Sequence, residues 1–319
     1  MKHTDQRTDP GHRPLPNRRD TEASALRDLF REQWRQLRGR IQRYEAFRSL
    51  ERQRSEALDQ AVEQVVSGTD RRLRGVSRYR KRLRQSTRCL LNYIGECVQQ
   101  LPAAHGTDRA TYYRDETLQT LLGGYDPLRR LLADDPVLAE YRAREPAERQ
   151  RTVYALLACS EHRHRISGCA IQGDMLVRDV LQEHMEFGNH RLVTAAATES
   201  DLRNALKRML FEQVVAYLKD YMARLRHGRL SERERRELPY GGEGIESPQR
   251  YLEVLEWLLS LPLELVRIQS ERLNLDRMGI LQPPPGGHEP VQIDALTIGD
   301  RPSQALCLLR IDGSETPAG

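Results

Sequence analysis

The chain has 319 residues with a formal charge of +5, is 38% hydrophobic and 30% charged, and has a mean hydropathy of −0.70. That is enough chain for one large domain or two modest ones. It is too polar for a spanning helix, because no stretch approaches the roughly 18 uncharged apolar residues one needs.

The opening MKHTDQRTDPGHRPLPNRRD has no apolar core behind its charges, so no secretory signal is expected. Five cysteines (Cys89, Cys97, Cys159, Cys169 and Cys307) form no CxxC and are odd in number, which fits a reducing, cytoplasmic setting. Charge is unevenly placed. Residues 1–101 carry 23 Lys/Arg and 13 Asp/Glu, and the remainder 28 and 33. A basic front could meet an acidic back, or an anionic partner. Only four cations are lysines, and the arginine excess runs through the whole chain, as a genome-wide codon preference would produce.

Residues 1–20 read as a disordered basic arm. From Ala25 the apolar residues recur every three or four positions through Leu26, Phe30, Trp34, Leu37, Ile41 and Tyr44, then Leu50, Leu58, Val62 and Val65. Gly68 supplies a stop, and Thr69 or Asp70 a cap. Leu73, Val76, Leu83, Leu90, Ile94, Cys97 and Leu101 then form a heptad seam interrupted by Arg80 and Thr87. Two such helices about a glycine turn predict an antiparallel hairpin over 21–101.

The segment 102–281 reads as a mainly helical domain. Asp126-Pro127, Asp135-Pro136 and Ser247-Pro248 carry helix-start chemistry. A helix is expected from Ala147 through Val153, Leu156 and Leu157. Met185 and Phe187, Gly188-Asn189, then Leu192 and Val193 predict a β-hairpin near 184–195. Thr198 opens a long amphipathic helix to Leu225, and 227–246 reads as a surface loop. A second long helix from Pro248 toward Gly279 should kink at Pro262. Residues 282–290 form a Pro/Gly linker, 291–312 a C-terminal β-hairpin, and 313–319 a disordered tail. The expected fold is therefore mainly α: a long, coiled-coil-like N-terminal helical hairpin followed by a helical domain with a small antiparallel sheet.

Two side-chain groups could carry chemistry. The basic run 70–88 holds nine cations and one acid, and Arg71, Arg74, Arg78, Lys81, Arg82 and Arg88 point away from the seam. Such a ridge can follow a phosphate backbone with steep salt dependence, although a coiled coil's solvated face looks the same. Cys159, His162, His164 and Cys169 supply the four soft or borderline ligands zinc takes. On a continuous helix, however, His162 and His164 diverge by about 200°. No P-loop, GxGxxG or GxSxG is present, so no catalytic residue is assigned and no cofactor is expected. Trp34, Tyr44 and Phe47 among arginines could touch an anionic membrane, but Glu32, Glu45 and Glu51 weaken that case.

The function expected is a helical scaffold that binds a protein partner, or a second copy, through its N-terminal helices. The alternatives are a nucleic-acid-associated protein using the 70–88 ridge, and an enzyme or small-ligand-binding domain in the C-terminal half. The last would place a pocket between the small sheet and the 200–226 helix.

Overall fold

The computed structural model describes residues 51–145, 151–172, 175–238, 245–276, 278–282 and 290–312. The expected basic arm (1–20), the first part of the expected hairpin (21–50), nearly all of the 282–290 linker and the tail lie outside these residues. The chain divides into two compact units, Met1–Ala57 and Leu58–Gly319, and of the first only helical residues 51–57 are described.

The second unit is organised by a sheet. The run Thr152–Gln172 is a strand, β2, because its apolar residues alternate between two different buried surfaces. Val153, Ala155, Leu157 and Cys159 face one core, and Leu156 and Ala158 the other. The last strand, β6 (Gln304–Asp312), repeats the arrangement, with Ala305, Cys307, Leu309 and Ile311 on one face and Leu306 and Leu308 on the other. A strand covered on both sides loses its polar alternation and reads as a continuous apolar run. Each fully buried aliphatic side chain here contributes about 1.5–3 kcal/mol.

Between them in sequence come β3 (Met175–Ala196), β4 (Val266–Leu273) and β5 (Val291–Ile298), giving the order β3-β2-β6-β5-β4. A two-residue strand, β1 (His105–Gly106), pairs parallel to β6 at Leu309 and Arg310, and the other pairings are antiparallel.

One sheet face is covered by the 58–68 part of helix α1 (51–68), and by α2 (Tyr79–Gln100), α7 (Glu199–Arg226) and α9 (Pro248–Leu259). The other is covered by α3 (Arg109–Tyr112), α4 (Glu116–Leu122), α5 (Tyr125–Asp134) and α6 (Pro136–Arg144). Two short helices, α8 (Glu232–Glu237) and α10 (Pro262–Leu265), complete the set.

This architecture overturns the mainly α expectation. A six-stranded sheet lies at the centre, and the described residues form no long N-terminal hairpin. The seam residues Leu83, Leu90, Ile94 and Val98 of α2 are buried in one core with α7, α9 and the sheet, where no separate two-helix rod stands. The second helix is also shorter than its pattern. Asp70 caps a 3₁₀ turn at Arg71–Gly75, Arg78 adopts φ +60°, and only then does α2 begin.

Three local expectations are corrected. The helix expected from Ala147 is instead the start of β2, since a short apolar run does not by itself distinguish a buried strand from a buried helix. Gly188-Asn189 is no turn. Ala158 pairs with Arg191 and Ser160 with Gly188, so β3 holds one extra residue there, a bulge with Asn189 at φ +52°. Pro262 ends the helical run rather than kinking it. The preceding Leu261 sits at φ −111°, ψ 64°, outside the helical region that proline disfavours for its neighbour. After α10 the chain becomes β4.

The caps read from sequence at Thr198, Asp135 and Ser247 each accept a backbone N–H at the start of α7, α6 and α9. Asp135 does more. Its Oδ1 accepts from Val137 N at 2.8 Å and its Oδ2 from the buried Leu192 N at 3.0 Å, joining α6 to β3.

Candidate functional site

The basic segment is divided by its partners. Arg74 meets Glu63 at 3.3 Å and Arg80 meets the same carboxylate at 2.8 Å, with Tyr79 donating to it at 2.6 Å. Arg82 gives Nε and Nη2 to Glu256 at 2.9 and 2.6 Å, and Arg84 reaches Asp59 at 3.1 Å. The Tyr79 hydroxyl first, then the two arginines, hold the Glu63 carboxyl below its usual value. Of the six proposed anion ligands, Arg74 and Arg82 are thus already paired within the chain. Arg71, Arg78, Lys81 and Arg88 are exposed and make no ion pair among the described residues. Lys81 and Arg88 lie seven residues apart on one stripe of α2, and Arg78 immediately precedes that helix.

The four proposed zinc ligands do not converge. Their segment is a strand, so Cys159 and Cys169 stand about 33 Å apart along it. Cys159 is buried, and burial pushes its thiol up to about 12. Cys169 is exposed. His162 and His164 share the opposite sheet face. His164 meets His184 of the paired strand, a residue outside the four candidate ligands, with Nε2···Nδ1 at 3.1 Å. Among the described residues no group of three or more His, Cys, Asp or Glu is placed to hold a metal.

Those histidines belong to a feature that sequence reasoning missed. β2 pairs with β6 only from Thr152 to Ser160, yet β2 and β3 stay paired with each other to Gln172↔Met175. The two strands therefore leave the sheet as a ribbon. Its first stretch is shored by the segment after β4, through Leu281 N to Glu183 O at 2.9 Å and Met185 N to Gly279 O at 2.9 Å, and by β4 itself through an Arg163–Glu271 ion pair. Beyond Ile166 and Gln182 no other described strand pairs with either edge, a free length of about 23 Å for seven residues.

This outer part exposes Met175 (70%) and Leu181 (71%), with Ile166, Val177 and Val180 half-buried between the strands. Over 161–187 the ribbon carries three arginines against five acids, the reverse of a polyanion-binding arm. The sequence signal was present in Gly173-Asp174, a hairpin-type dipeptide between two β-rich runs.

Cavities open against the sheet among the described residues. One, of about 230 Å³, opens where β5 parts from β6 and β1 takes its place. It is lined by His105, Thr117, Asp294 and Cys307, among others. Here His105 Nδ1 lies 2.5 Å from Asp115 Oδ2, and Ser270 donates to Asp294. Burial works to raise the Asp115 carboxyl, but the bond from His105 and those from the Leu118 and Thr117 N–H groups outweigh it, leaving it lowered. Burial pushes the Cys307 thiol well above its ordinary value, with the Asp115 charge next. Its Sγ is directed at Leu308 O, 3.7 Å away. A buried thiol held in its protonated form is no activated nucleophile.

The second cavity, of about 180 Å³, lies between α7 and the sheet. Leu156, Ala158, Leu206, Leu210 and Leu306 give it a fully buried apolar floor, and Arg191, Gln213, Arg301 and Gln304 a polar rim. It occupies the place where the ligand-binding alternative requires a pocket. No described helix is long and apolar enough to cross a membrane.

Comparison with protein families, with curated proteins and with solved structures finds no match to this chain in any of the three.

Proposed function

We propose that this chain is a protein-binding scaffold whose contact element is the β-ribbon 161–187, with a second copy of the chain as partner. The observation that carries this reading is the ribbon's outer part, two strands with no further pairing partner among the described residues and with Met175 and Leu181 about seventy per cent exposed. A two-stranded ribbon is marginal in water until another strand or surface covers it. Unpaired edges offer the backbone groups for that addition, and the alternating apolar side chains offer the pockets and knobs. The balance of three arginines and five acids suits a like surface of mixed sign better than a nucleic acid. Two-fold pairing of identical edges is the commonest closed arrangement for such a surface.

Sedimentation velocity of the full chain over a hundredfold concentration range tests this. The wild type is expected to dimerise, and Leu181→Arg and Met175→Glu to remain monomeric with unchanged thermal unfolding. A monomeric wild type throughout, or variants that dimerise equally well, refutes the reading.

The second reading uses the basic stripe. Arg78, Lys81 and Arg88, with Arg71 nearby in sequence, form no ion pair among the described residues, which supports binding of a phosphate backbone. Retention on a polyanion column should then fall steeply with salt, and fall again when Arg78, Lys81 and Arg88 are changed to Glu. Unchanged retention in that triple variant sinks this reading.

A further inference from the structure

We infer that the cavity between α7 and the sheet is a binding site for a small monocarboxylate with an apolar body of about six carbons. The sequence builds both halves of such a site. On the sheet, Leu156 and Ala158 alternate with residues of the opposite core, so their side chains face α7. On α7, Leu206 and Leu210 lie four residues apart on the stripe facing back. The cavity is partly open to solvent, and its 180 Å³ sets the scale of the ligand's buried apolar body. An apolar cavity of about 150 Å³ accepts one benzene ring, so this one accepts a ring or a chain of about six carbons.

The rim sets the charge. Arg301 is held in place, donating to Gln213 Oε1 at 3.1 Å and Asp220 Oδ2 at 3.2 Å. Its guanidinium also lies 6.0 Å from the Tyr217 ring centroid. Arg191 pairs across the strands with Ala158 of the cavity floor and is exposed, with no ion pair among the described residues. Asp220 answers Arg301, which leaves Arg191 as the charge a ligand would neutralise. A planar guanidinium takes a carboxylate in a two-point contact, and Gln304 adds an amide beside it. An apolar floor with one unanswered cation at its edge fits an amphiphilic anion and disfavours a neutral or cationic molecule of the same size.

The test uses benzoate, hexanoate and the uncharged hexan-1-ol as probes on the full chain, followed at the Met209 methyl group by NMR. Both acids are expected to shift that resonance saturably, and hexanol to bind more weakly. Arg191→Gln should weaken the acids about tenfold, the effect of one charge-assisted contact, and leave hexanol unchanged. Ala158→Leu, which fills the floor, should abolish binding of all three. Arg191 lies on the surface, so its variant keeps the test decisive if the core variant fails to fold. No saturable shift with either acid overturns the inference, as does equal binding of acid and alcohol or indifference of the acids to Arg191→Gln.

Discussion

Asp135 offers a perturbation whose cost can be worked from two bonds. The side chain is 8% exposed, and its two oxygens accept from Val137 N and Leu192 N at 2.8 and 3.0 Å. Asp135→Ala removes the N-cap of α6, which costs about 1 kcal/mol. It also strands the buried Leu192 N–H without an acceptor, about 1–3 kcal/mol more. The expected loss is therefore about 2–4 kcal/mol, or roughly 5–15 °C in Tm for a unit of this size. Asp135→Asn should recover only the cap, about 1 kcal/mol, because its second position becomes an NH₂ facing the Leu192 N–H. Denaturant unfolding measures the loss, and amide exchange at Leu192 locates it. An alanine variant within about 0.5 kcal/mol of wild type, the scatter of ordinary surface changes, or an unchanged Leu192 exchange rate, refutes the reasoning.

Other outcomes are expected. Thr87 Oγ1 is buried on α2 and makes no hydrogen bond among the described residues, so Thr87→Val should stabilise by about 1 kcal/mol in the same assay; a loss of stability counts against that account. Gly299 sits at φ +56°, and a Cβ there would come within 2.1–2.6 Å of the Tyr217 ring, so Gly299→Ala should cost about 3 kcal/mol or more, against a few tenths if the turn simply yields. In native protein a thiol reagent should modify Cys89 and Cys169, and reach Cys97, Cys159 and Cys307 only after unfolding; fast labelling of Cys307 contradicts its burial.

Stability should also depend on pH at both ends. Asp115, Asp70 and Glu63 have lowered folded-state values, so their contribution is complete above the ordinary carboxylate range and lost as pH falls below it. Tyr221 and Tyr251 are pushed up to about 12, chiefly by burial, so theirs holds below pH 10 and is lost as pH rises toward 12. A melting temperature that is flat from pH 3 to 11 refutes both.

What the sequence disclosed follows local chemistry. Thr198, Asp135 and Ser247 announced three helix starts because a capping side chain acts within three residues of itself. The C-terminal strands were legible from the turn at 299–302 and the apolar runs around it. The sheet's central place was not, because whether Thr152–Ser160 is strand or helix is decided by the two cores it separates, and neither is local. Ser231 and Glu234 form a full capping box that starts α8 inside what reads as a surface loop. Gly188-Asn189 resembles a turn, since a bulge and a turn both recruit a residue able to take positive φ. The His105–Asp115 pair and the Arg191 cavity join residues from ten to over a hundred positions apart in sequence, so nothing in the linear pattern announced them. The metal expectation failed on period alone: strand spacing separated its cysteines and brought His164 to His184 instead.

The ribbon is not hinged onto the body; its two strands continue into the sheet, β2 as an inner strand between β3 and β6, and β3 as the edge strand. A load applied at the tip therefore has no joint in which to dissipate, and travels along covalent backbone into the wall between the two cores. Slack along that lever sits at bulges in β3, one around Asp179 within the ribbon and one around Asn189, opposite the last rungs that β2 shares with β6. Whatever grips the tip pulls directly on the layer that both α6, through Asp135, and α7 rest against.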